Sequence, residues 1–286
     1  MKCEIPKDTI KTHNKILVIG DLHADYMKTI DLFHHFKLID KNKKWIGKNT
    51  IIVQLGDQID GYGRGIYEDA DGELKILDFF DTIHEQAQMY GGAVYSIIGN
   101  HELMNVLGNF SYASKTDINS NGGELKRKQQ FAPGGAIAKR LACTRNTIIK
   151  INDILFVHGG IIPELVKKDK SKTISIVNQL MRSFFRGEID ETNPEFKVFL
   201  KNNRGVLWDR SLGKVNTNCT DLQTMLDDIG ANHIIIGHSP QDVINSECDN
   251  KVWRVDVGLS KALGDNTFQI LEITRVNGSN QFKVLY

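Results

Sequence analysis

The stretch GDLHAD at 20–25 is the first of five short polar motifs from which the fold of this chain can be predicted. The other four are GDQID at 56–60, GNHE at 99–102, VHGG at 157–160 and GHS at 237–239. Each motif follows an apolar, β-rich run, and these runs lie at 16–19, 51–55, 93–98, 154–157 and 234–236. In open α/β sheets, ligands bind outside the carboxyl ends of the strands. The five motifs are therefore expected to converge on one site although they are far apart in sequence.

The segments around these runs predict helices and further strands. Segments 26–36 and 74–90 carry apolar residues at helical spacing, which indicates helices packed on a sheet. The tail from Val252 alternates apolar and polar residues in several short strands, which suggests an antiparallel portion. The sequence therefore predicts an α/β fold with either one mixed sheet or two facing sheets.

The size of the chain favours one catalytic domain. A chain of 286 residues with 41% hydrophobic and 25% charged residues can bury a sizeable core. Because α/β folds of this size commonly form one domain lengthened by insertions, we expect a single domain over 1–286. The pattern loosens over 104–145, where a polar run at 126–130 and a break at Pro133 interrupt the helical signals. This segment predicts an inserted loop and helical region close to the site.

The charge balance gives the chain no field that would attract a polyanion. There are 36 Lys and Arg residues against 35 Asp and Glu residues, for a formal net charge of +1. No basic stripe with interleaved aromatic residues is visible, which argues against a nuclease acting on long nucleic acid. No run approaches the roughly 18 apolar residues of a membrane-spanning helix, and the first 15 residues lack the apolar region of a signal peptide. We therefore expect a soluble, cytoplasmic protein with no membrane partner.

The cysteines show no spacing typical of a metal site or of a dense disulfide framework. The chain has four of them, namely Cys3, Cys143, Cys219 and Cys248. We expect structural or inert thiols and assign no metal to them.

Six residues of the motifs have side chains suited to a site for two divalent metal ions: Asp21, His23, Asp57, Asn100, His158 and His238. The D-x-H spacing lets a carboxylate and an imidazole face one cavity, and this combination suits Mn, Fe or Zn. The two oxygens of Asp57 could bridge a pair of ions. Two metals roughly 3.5–4 Å apart form the clamp with which phosphatases and nucleases activate water and neutralise phosphoryl charge.

His101 directly follows Asn100, and at a turn these neighbours can point towards a metal and towards the substrate. We predict that both contact the substrate and that His101 is the general acid for the leaving oxygen. Asp60 is predicted to accept a hydrogen bond from the other ring nitrogen of His101, which would fix the tautomer and stabilise the protonated form.

Each of these signals is weak by itself, because a lone histidine at the end of a strand is more often a structural residue. The five motifs together favour a functional site, since all of them follow predicted strands. The histidines elsewhere in the chain do not belong to any of these motifs and are interpreted as surface or packing residues.

With these motifs the sequence resembles the calcineurin-like metallophosphoesterases, and among them the phosphoprotein phosphatases with GDxHG, GDxxDRG, GNHE, HGG and GH signatures. The segments GNHELMN at 99–105, GVLWDR at 205–210 and DVGLS at 256–260 are similar to the Shewanella-like branch. The resemblance implies a central pair of mixed sheets flanked by helices, a metallophosphoesterase-type βαβ sandwich with a dimetal site at the strand C-terminal ends. It further implies that a water bridging the metals attacks phosphorus in line while His101 protonates the leaving group.

The resemblance also divides the ligands between the two ions. It places Asp21, His23 and Asp57 on one ion and Asp57, Asn100, His158 and His238 on the other. Mn is the first expectation for the metal, with Fe or Zn as alternatives.

The chain departs from the family pattern at two positions. Ala24 replaces the last Gly of GDxHG, and Gly61 lies where a phosphate-binding Arg is expected. Arg64, in the same Gly-rich loop, could bring a guanidinium to the phosphate instead, or Gly61 could mark a weakened enzyme. The resembling branch carries Arg at the position of Arg210, which is therefore the better second phosphate ligand.

Three functions remain open from the sequence. The leading hypothesis is a metal-dependent phosphomonoesterase that acts on phosphorylated protein side chains, either phosphotyrosine or phosphoserine and phosphothreonine. The alternative is hydrolysis of nucleotides, dinucleoside polyphosphates or phosphodiesters with the same metal core. A non-catalytic metal-binding module is the third, although the chain retains every predicted ligand. The expected partner is a phosphorylated protein or a small phosphoester, and the oligomeric state is open.

Overall fold

A computed structural model describes Cys3 and residues 5–63, 68–166 and 170–286. Its strands are β1 (Thr9–Ile10), β2 (Ile16–Ile19), β3 (Ile51–Gln54), β4 (Ala93–Ser96), β5 (Ile148–Ile151), β6 (Ile154–Val157), β7 (His233–Ile236), β8 (Asn245–Glu247), β9 (Val252–Arg254), β10 (Ile270–Val276) and β11 (Ser279–Leu285). The five runs that precede the polar motifs are therefore strands, and the alternating tail forms the antiparallel hairpin of β10 and β11.

The helices are α1 (Tyr26–His35), α2 (Glu73–Gln88), α3 (Asn100–Val106), α4 (Lys115–Ser120), α5 (Glu124–Phe131), α6 (Ala136–Thr144), α7 (Thr173–Arg186), α8 (Pro194–Phe196) and α9 (Cys219–Ile229). Short 3-10 turns lie at Pro163–Leu165, Lys170–Lys172 and Lys261–Leu263, and a π turn follows α8 at Lys197–Lys201. Capping interactions define several of the helix ends. Asp25 caps α1 by accepting the Lys28 backbone N–H at 3.1 Å, and α7 ends at Gly187 in the left-handed region, with a φ of 76°.

The strands form two mixed sheets. The order is β11-β10-β2-β3-β4 in one sheet and β1-β5-β6-β7-β9-β8 in the other. The strands β2, β3 and β4 run parallel, as do β6, β7 and β9, so the carboxyl ends of each set meet at one edge of their sheet. The predicted α/β fold with two mixed sheets flanked by helices is confirmed.

The two sheets pack face to face because their strands are apolar on both sides. In β2, Ile16 and Val18 contact the core between the sheets, whereas Leu17 and Ile19 point to the core beneath α1 and α2. In β7, Ile235 contacts the inner core and its two neighbours face the helices of the other side. This alternation, with burial on both faces, explains why the strands read as continuous hydrophobic runs.

The segment 104–145, predicted as an insertion, contains the end of α3 and the helices α4, α5 and α6. Helix α6 packs against α7, and Phe131 of α5 is fully buried in the same hydrophobic cluster. The structure thus gives the segment a helical fold, while its status as an insertion into a single domain stays a prediction. Within the described ranges no helix combines the length and the apolar run needed to cross a bilayer.

The expectation of thiols is wrong. Cys3 forms a disulfide with Cys143, and Cys219 forms one with Cys248, with Cα–Cα distances of 5.1 and 5.4 Å. The partners are 140 and 29 residues apart in sequence, so only the fold brings them together and the spacing of the cysteines could not indicate the pairing.

Candidate metal centre and substrate cavity

The carboxyl ends of the parallel strands open into a cavity of about 1010 Å³. Its lining includes most of the predicted site residues: Asp21, His23, Asp57, Asn100, His101, Arg210 and His238. His158, which is fully buried, lies behind this surface in contact with Asn100 and Asp57. Arg64, the other predicted phosphate ligand, lies outside the described residues. The structure therefore brings all six predicted metal ligands to one place.

Asp57 lies at the centre of this cluster. Its Oδ2 atom is 3.8 Å from Nε2 of His23, 3.8 Å from Nε2 of His101 and 3.2 Å from Nε2 of His158. Two groups of possible ligand atoms share Asp57, the first with His23 and His101 and the second with His158 and His238, and the atoms of each group lie within 4.8 Å of one another. Asn100 adds its Oδ1 atom at 2.9 Å from Nε2 of His158. A carboxylate shared by two groups of nitrogen and oxygen donors fits a pair of divalent ions.

The backbone at these turns is strained. His23, Asp57 and His238 have φ angles of 42°, 49° and 63°, in the left-handed region that side chains with a Cβ avoid. Ala24, where the family pattern has Gly, also has a positive φ of 58°. Such strain persists only where the surrounding structure fixes the backbone, and it is concentrated at functional sites.

The orientation of the imidazoles also suits metal binding. Each of three rings has one nitrogen against a backbone carbonyl oxygen: Nδ1 of His23 at 3.1 Å from Asp60, Nδ1 of His158 at 2.7 Å from Leu55, and Nε2 of His238 at 3.2 Å from Trp208. A carbonyl only accepts, so each of these nitrogens carries the proton and donates it. In the neutral form of each ring the second nitrogen offers a lone pair to a metal, which is how histidine ligands are commonly held.

The acidic groups repel one another where they lie. Burial, and then the charges of Asp256 and Asp57, raise the pKa of Asp21 well above its ordinary value. Burial and the charge of Asp57 likewise raise the pKa of Glu102. Although burial opposes it, the imidazoles of His158 and His101 hold the pKa of Asp57 well below its ordinary value. A cluster with this excess of buried acid is stabilised by bound cations.

The pKa of His238 is strongly lowered. Burial, followed by the charge of His158, lowers the pKa of His238 to about 2. The ring is therefore neutral at physiological pH, which is the form that binds a metal.

The sequence model of the calcineurin-like phosphoesterase family matches residues 14–242. The chain belongs to this family. It is 28% identical over 322 residues to Shewanella-like protein phosphatase 2 of Arabidopsis thaliana, an alignment that covers 96% of this chain and 79% of the relative. It is 31% identical over 263 residues to Shewanella-like protein phosphatase 1 of Plasmodium berghei, with coverage of 88% and 69%.

A solved structure has the same architecture along nearly all of the chain. The cold-active protein-tyrosine phosphatase of a psychrophilic Shewanella species superposes with a TM-score of 0.80 at 26% identity, and it covers 98% of this chain and 83% of that one. These similarities confirm the resemblance to the Shewanella-like phosphatases, and the chain is a phosphoester hydrolase of this family.

The predicted acid of the phosphoesterase, His101, lies in a buried polar chain. Its Nδ1 is 2.8 Å from Oδ2 of Asp60, and Asn105 donates its amide N–H groups to both oxygens of that carboxylate at 2.9 Å. The guanidinium of Arg127, which is fully buried, lies 3.5 Å from Oδ1 of Asp60 and forms an ion pair with Glu73. Burial raises the pKa of Glu73 to about 7, although Arg127 opposes this rise. Arg127 lies in the polar run 126–130 of the sequence, and its charge is balanced by two buried carboxylates.

Glu102 is a site residue that the sequence analysis missed. Its Oε2 accepts the backbone N–H groups of Asp57 at 3.0 Å and Gly99 at 2.7 Å, and its Oε1 accepts those of Gln58 at 2.8 Å and Ile59 at 3.3 Å. One buried carboxylate thus holds the turn that presents Asp57 against the start of α3. The signal was present in GNHE, because a Glu three residues after Gly99 is at the capping-box position of a helix.

Asp256 was quoted in the DVGLS segment but was given no role. It follows β9 as the other motifs follow their strands, is 1% exposed and lines the cavity. Burial raises its pKa, and its charge contributes to the raised pKa of Asp21. Asp256 therefore adds a carboxylate to the lining of the cavity. Because ligand sites form at the carboxyl ends of parallel strands, recognising β9 as a parallel strand would have identified this residue from the sequence.

Gly61, where the family pattern has an Arg, has no room for a side chain. An added Cβ would lie 2.7 Å from Cβ of Ala70, and the carbonyl oxygen of Gly61 accepts the Ala70 N–H at 2.6 Å. Ala70 thus occupies the position that the Cβ of an arginine would need. Arg210 lines the cavity, and its Nη1 donates to the carbonyl oxygen of His238.

Substitution of Glu102 by Gln is expected to lower the free energy of unfolding by about 1–3 kcal/mol, because one oxygen facing two N–H donors becomes an amide donor. Urea unfolding of the metal-free protein measures this change. Glu124→Gln is the matched control, because Glu124 is an exposed residue in the first turn of α5. Equal stability of the two variants would show that Glu102 does not hold the turn.

Restoring arginine at position 61 is expected to destabilise the protein and not to improve its phosphate site. Because the added Cβ meets the Ala70 backbone, both Gly61→Ala and Gly61→Arg should lose about 1–3 kcal/mol of stability, as overpacked sites do. Thermal unfolding and inhibition by inorganic phosphate provide the two measurements. A Gly61→Arg variant of unchanged stability that binds phosphate more tightly would contradict this reading of the loop.

Proposed function

We propose that this phosphoesterase is a metal-dependent phosphomonoesterase that hydrolyses phosphorylated protein side chains, phosphotyrosine foremost. The observation that carries the proposal is that Asp57 is shared by two groups of possible ligand atoms in one cavity. We assign His101, which belongs to the first group, to the acid role and not to a metal, because its Nδ1 is paired with Asp60. The names of the similar proteins support a protein phosphatase, and the Shewanella structure supports phosphotyrosine.

The residues that would hold the metals are the six predicted ones, divided around Asp57. Asp21 and His23 complete one set with Asp57, and Asn100, His158 and His238 complete the other. The two bound ions supply an activated water and neutralise the negative charge of the phosphoryl group. Mn is our first assignment, and the nitrogen and oxygen donors also accept Fe or Zn.

His101 has the position of a general acid. Its Nδ1 donates to Asp60, and its Nε2 lies 3.8 Å from Oδ2 of Asp57 in the lining of the cavity. We assign to His101 the transfer of a proton from Nε2 to the leaving oxygen of the substrate. Asp60 would keep the ring in place, and its own position is fixed by Asn105 and Arg127.

Arg210 is our candidate for binding the phosphoryl oxygens. The residue is exposed to the cavity, and its described hydrogen bonds, to the carbonyl of His238 and to Ser239 at 3.4 Å, use Nη1 alone. Its other N–H groups are then placed to donate to an anion in front of the ligand cluster, and a guanidinium fork matches phosphate well.

The role proposed from the sequence for Arg64 stays a prediction, as does the cytoplasmic location. The two disulfides weigh against that location, because thiols are normally kept reduced in the cytosol.

The proposal is tested by initial rates on a phosphotyrosyl peptide, a phosphoseryl peptide and a phosphodiester, for the original protein and His101→Asn, with metal-free protein titrated with manganese. The original protein is expected to release phosphate from the peptides in a metal-dependent manner and to leave the diester intact. His101→Asn should be slower by about 10²–10⁴-fold, the usual contribution of a general acid. The loss should be larger on the phosphoseryl peptide, because its leaving alkoxide needs protonation more.

Each contrary result identifies a different error. Cleavage of the diester with inert peptides would favour a nucleotide hydrolase or phosphodiesterase. Inactivity on all three substrates despite bound metal would indicate a non-catalytic metal-binding module. Unchanged rates of His101→Asn on the phosphoseryl peptide, with metal content intact, would remove His101 as the acid.

A further inference from the structure

One wall of the cavity is cationic. It is formed by the segment 203–214, which contributes Arg204, Arg210 and Lys214 to the lining. Arg204 lies 3.4 Å from the carboxylate of Glu164, and both of these side chains are exposed. Among the described residues neither Arg210 nor Lys214 has a carboxylate at ion-pair distance. Two positive charges thus face the cavity without an acidic partner from the described chain.

The carboxylates that line the cavity form no ion pair with Arg210 or Lys214 in the described part of the chain. Asp21, Asp57 and Asp256 are at most 2% exposed and lie at the floor with the ligand cluster. Asp209, at 5% exposure, faces its own turn, where its Oδ1 accepts the backbone N–H of Ser211 at 2.9 Å. Arg210 and Lys214 therefore supply unpaired positive charge to the lining of the cavity, although the whole chain has a net charge of only +1.

The loop that carries these cations is held in place by a buried arginine of β9. Arg254, 3% exposed, donates to the carbonyl oxygens of Leu212 at 2.7 Å and Lys214 at 2.6 Å, and to Oγ1 of Thr217 at 2.9 Å. Its charge is balanced by Glu247 at 2.8 Å. Just after the loop, the disulfide between Cys219 and Cys248 ties the start of α9 to the turn after β8.

The turn between the two cations is also tight. The N–H of Gly213 donates to the carbonyl oxygen of Arg210 at 3.1 Å, and the Cα of Gly213 packs against Ser239 so closely that a Cβ would overlap its hydroxyl. The backbone of Lys214 therefore has a fixed position relative to Arg210, and only the lysine side chain remains free to adjust. A fixed backbone lowers the entropy that is lost when such a side chain binds an anion.

We propose that Lys214 selects substrates with a carboxylate close to the phosphorylated side chain, so that an acidic phosphopeptide is the preferred substrate class. This inference rests on the proposed function, in which Arg210 binds the phosphoryl group. Two cations on one anchored loop match two anionic groups of one ligand. The flexible ammonium of Lys214 suits a carboxylate of variable position, whereas the guanidinium fork of Arg210 suits a phosphate.

The test compares kcat/KM for two phosphotyrosyl peptides, one with Asp and Glu around the phosphotyrosine and one with Asn and Gln, together with p-nitrophenyl phosphate. The original protein is expected to favour the acidic peptide by about two- to fivefold, which is the range of an exposed ion pair. The preference should appear in KM and weaken with added salt. In Lys214→Gln the ratio of the two peptides should fall to one, whereas Lys214→Arg should keep it.

Lys283→Gln is the matched control, because Lys283 is an exposed lysine on β11 that does not line the cavity, and it should keep the original ratio. An unchanged ratio in Lys214→Gln would overturn the inference while the proposed function stands. An equal loss on all three substrates would also overturn it, since Lys214 would then bind the scissile phosphate. Inactivity of the original protein on every substrate would instead overturn the proposed function.

Discussion

The arrangement of this protein depends on the burial of one carboxylate among three imidazoles. Asp57 is 2% exposed, and its Oδ2 lies within 3.8 Å of nitrogen atoms of His23, His101 and His158. A buried carboxylate is costly unless positive charge or donors surround it, so every turn around Asp57 must be held accurately. The parallel strands of two facing sheets supply that accuracy, since each ends beside the same point.

The supporting groups of the site are themselves buried acids and bases. Glu102 holds the turn at Asp57 and the start of α3 through four backbone N–H groups, and Arg127 balances the carboxylates of Asp60 and Glu73. Each of these groups is fully or almost fully buried. The stability of the fold and the geometry of the site are thus joined, because the same interactions that satisfy buried charge also orient the residues assigned to catalysis.

The sequence allowed the fold and the ligand cluster to be predicted because both follow from local patterns. Strands with both faces buried read as apolar runs, and polar residues at their carboxyl ends must meet at one sheet edge. The disulfides, the closed space at Gly61 and the burial of Arg127 depend on contacts between segments distant in the chain, which no local pattern contains. Arg127 in particular has the sequence context of a solvated helix and the environment of a core residue.

The central claim is that Asp57 is shared by two metal sites, and metal stoichiometry tests it most directly. Metal-free protein, equilibrated with excess manganese and freed of unbound metal, is expected to hold two ions per chain. Asp57→Asn should hold fewer than two, because both groups of ligands lose their common carboxylate. Fewer than two ions in the original protein, or two ions retained in Asp57→Asn, would contradict the account.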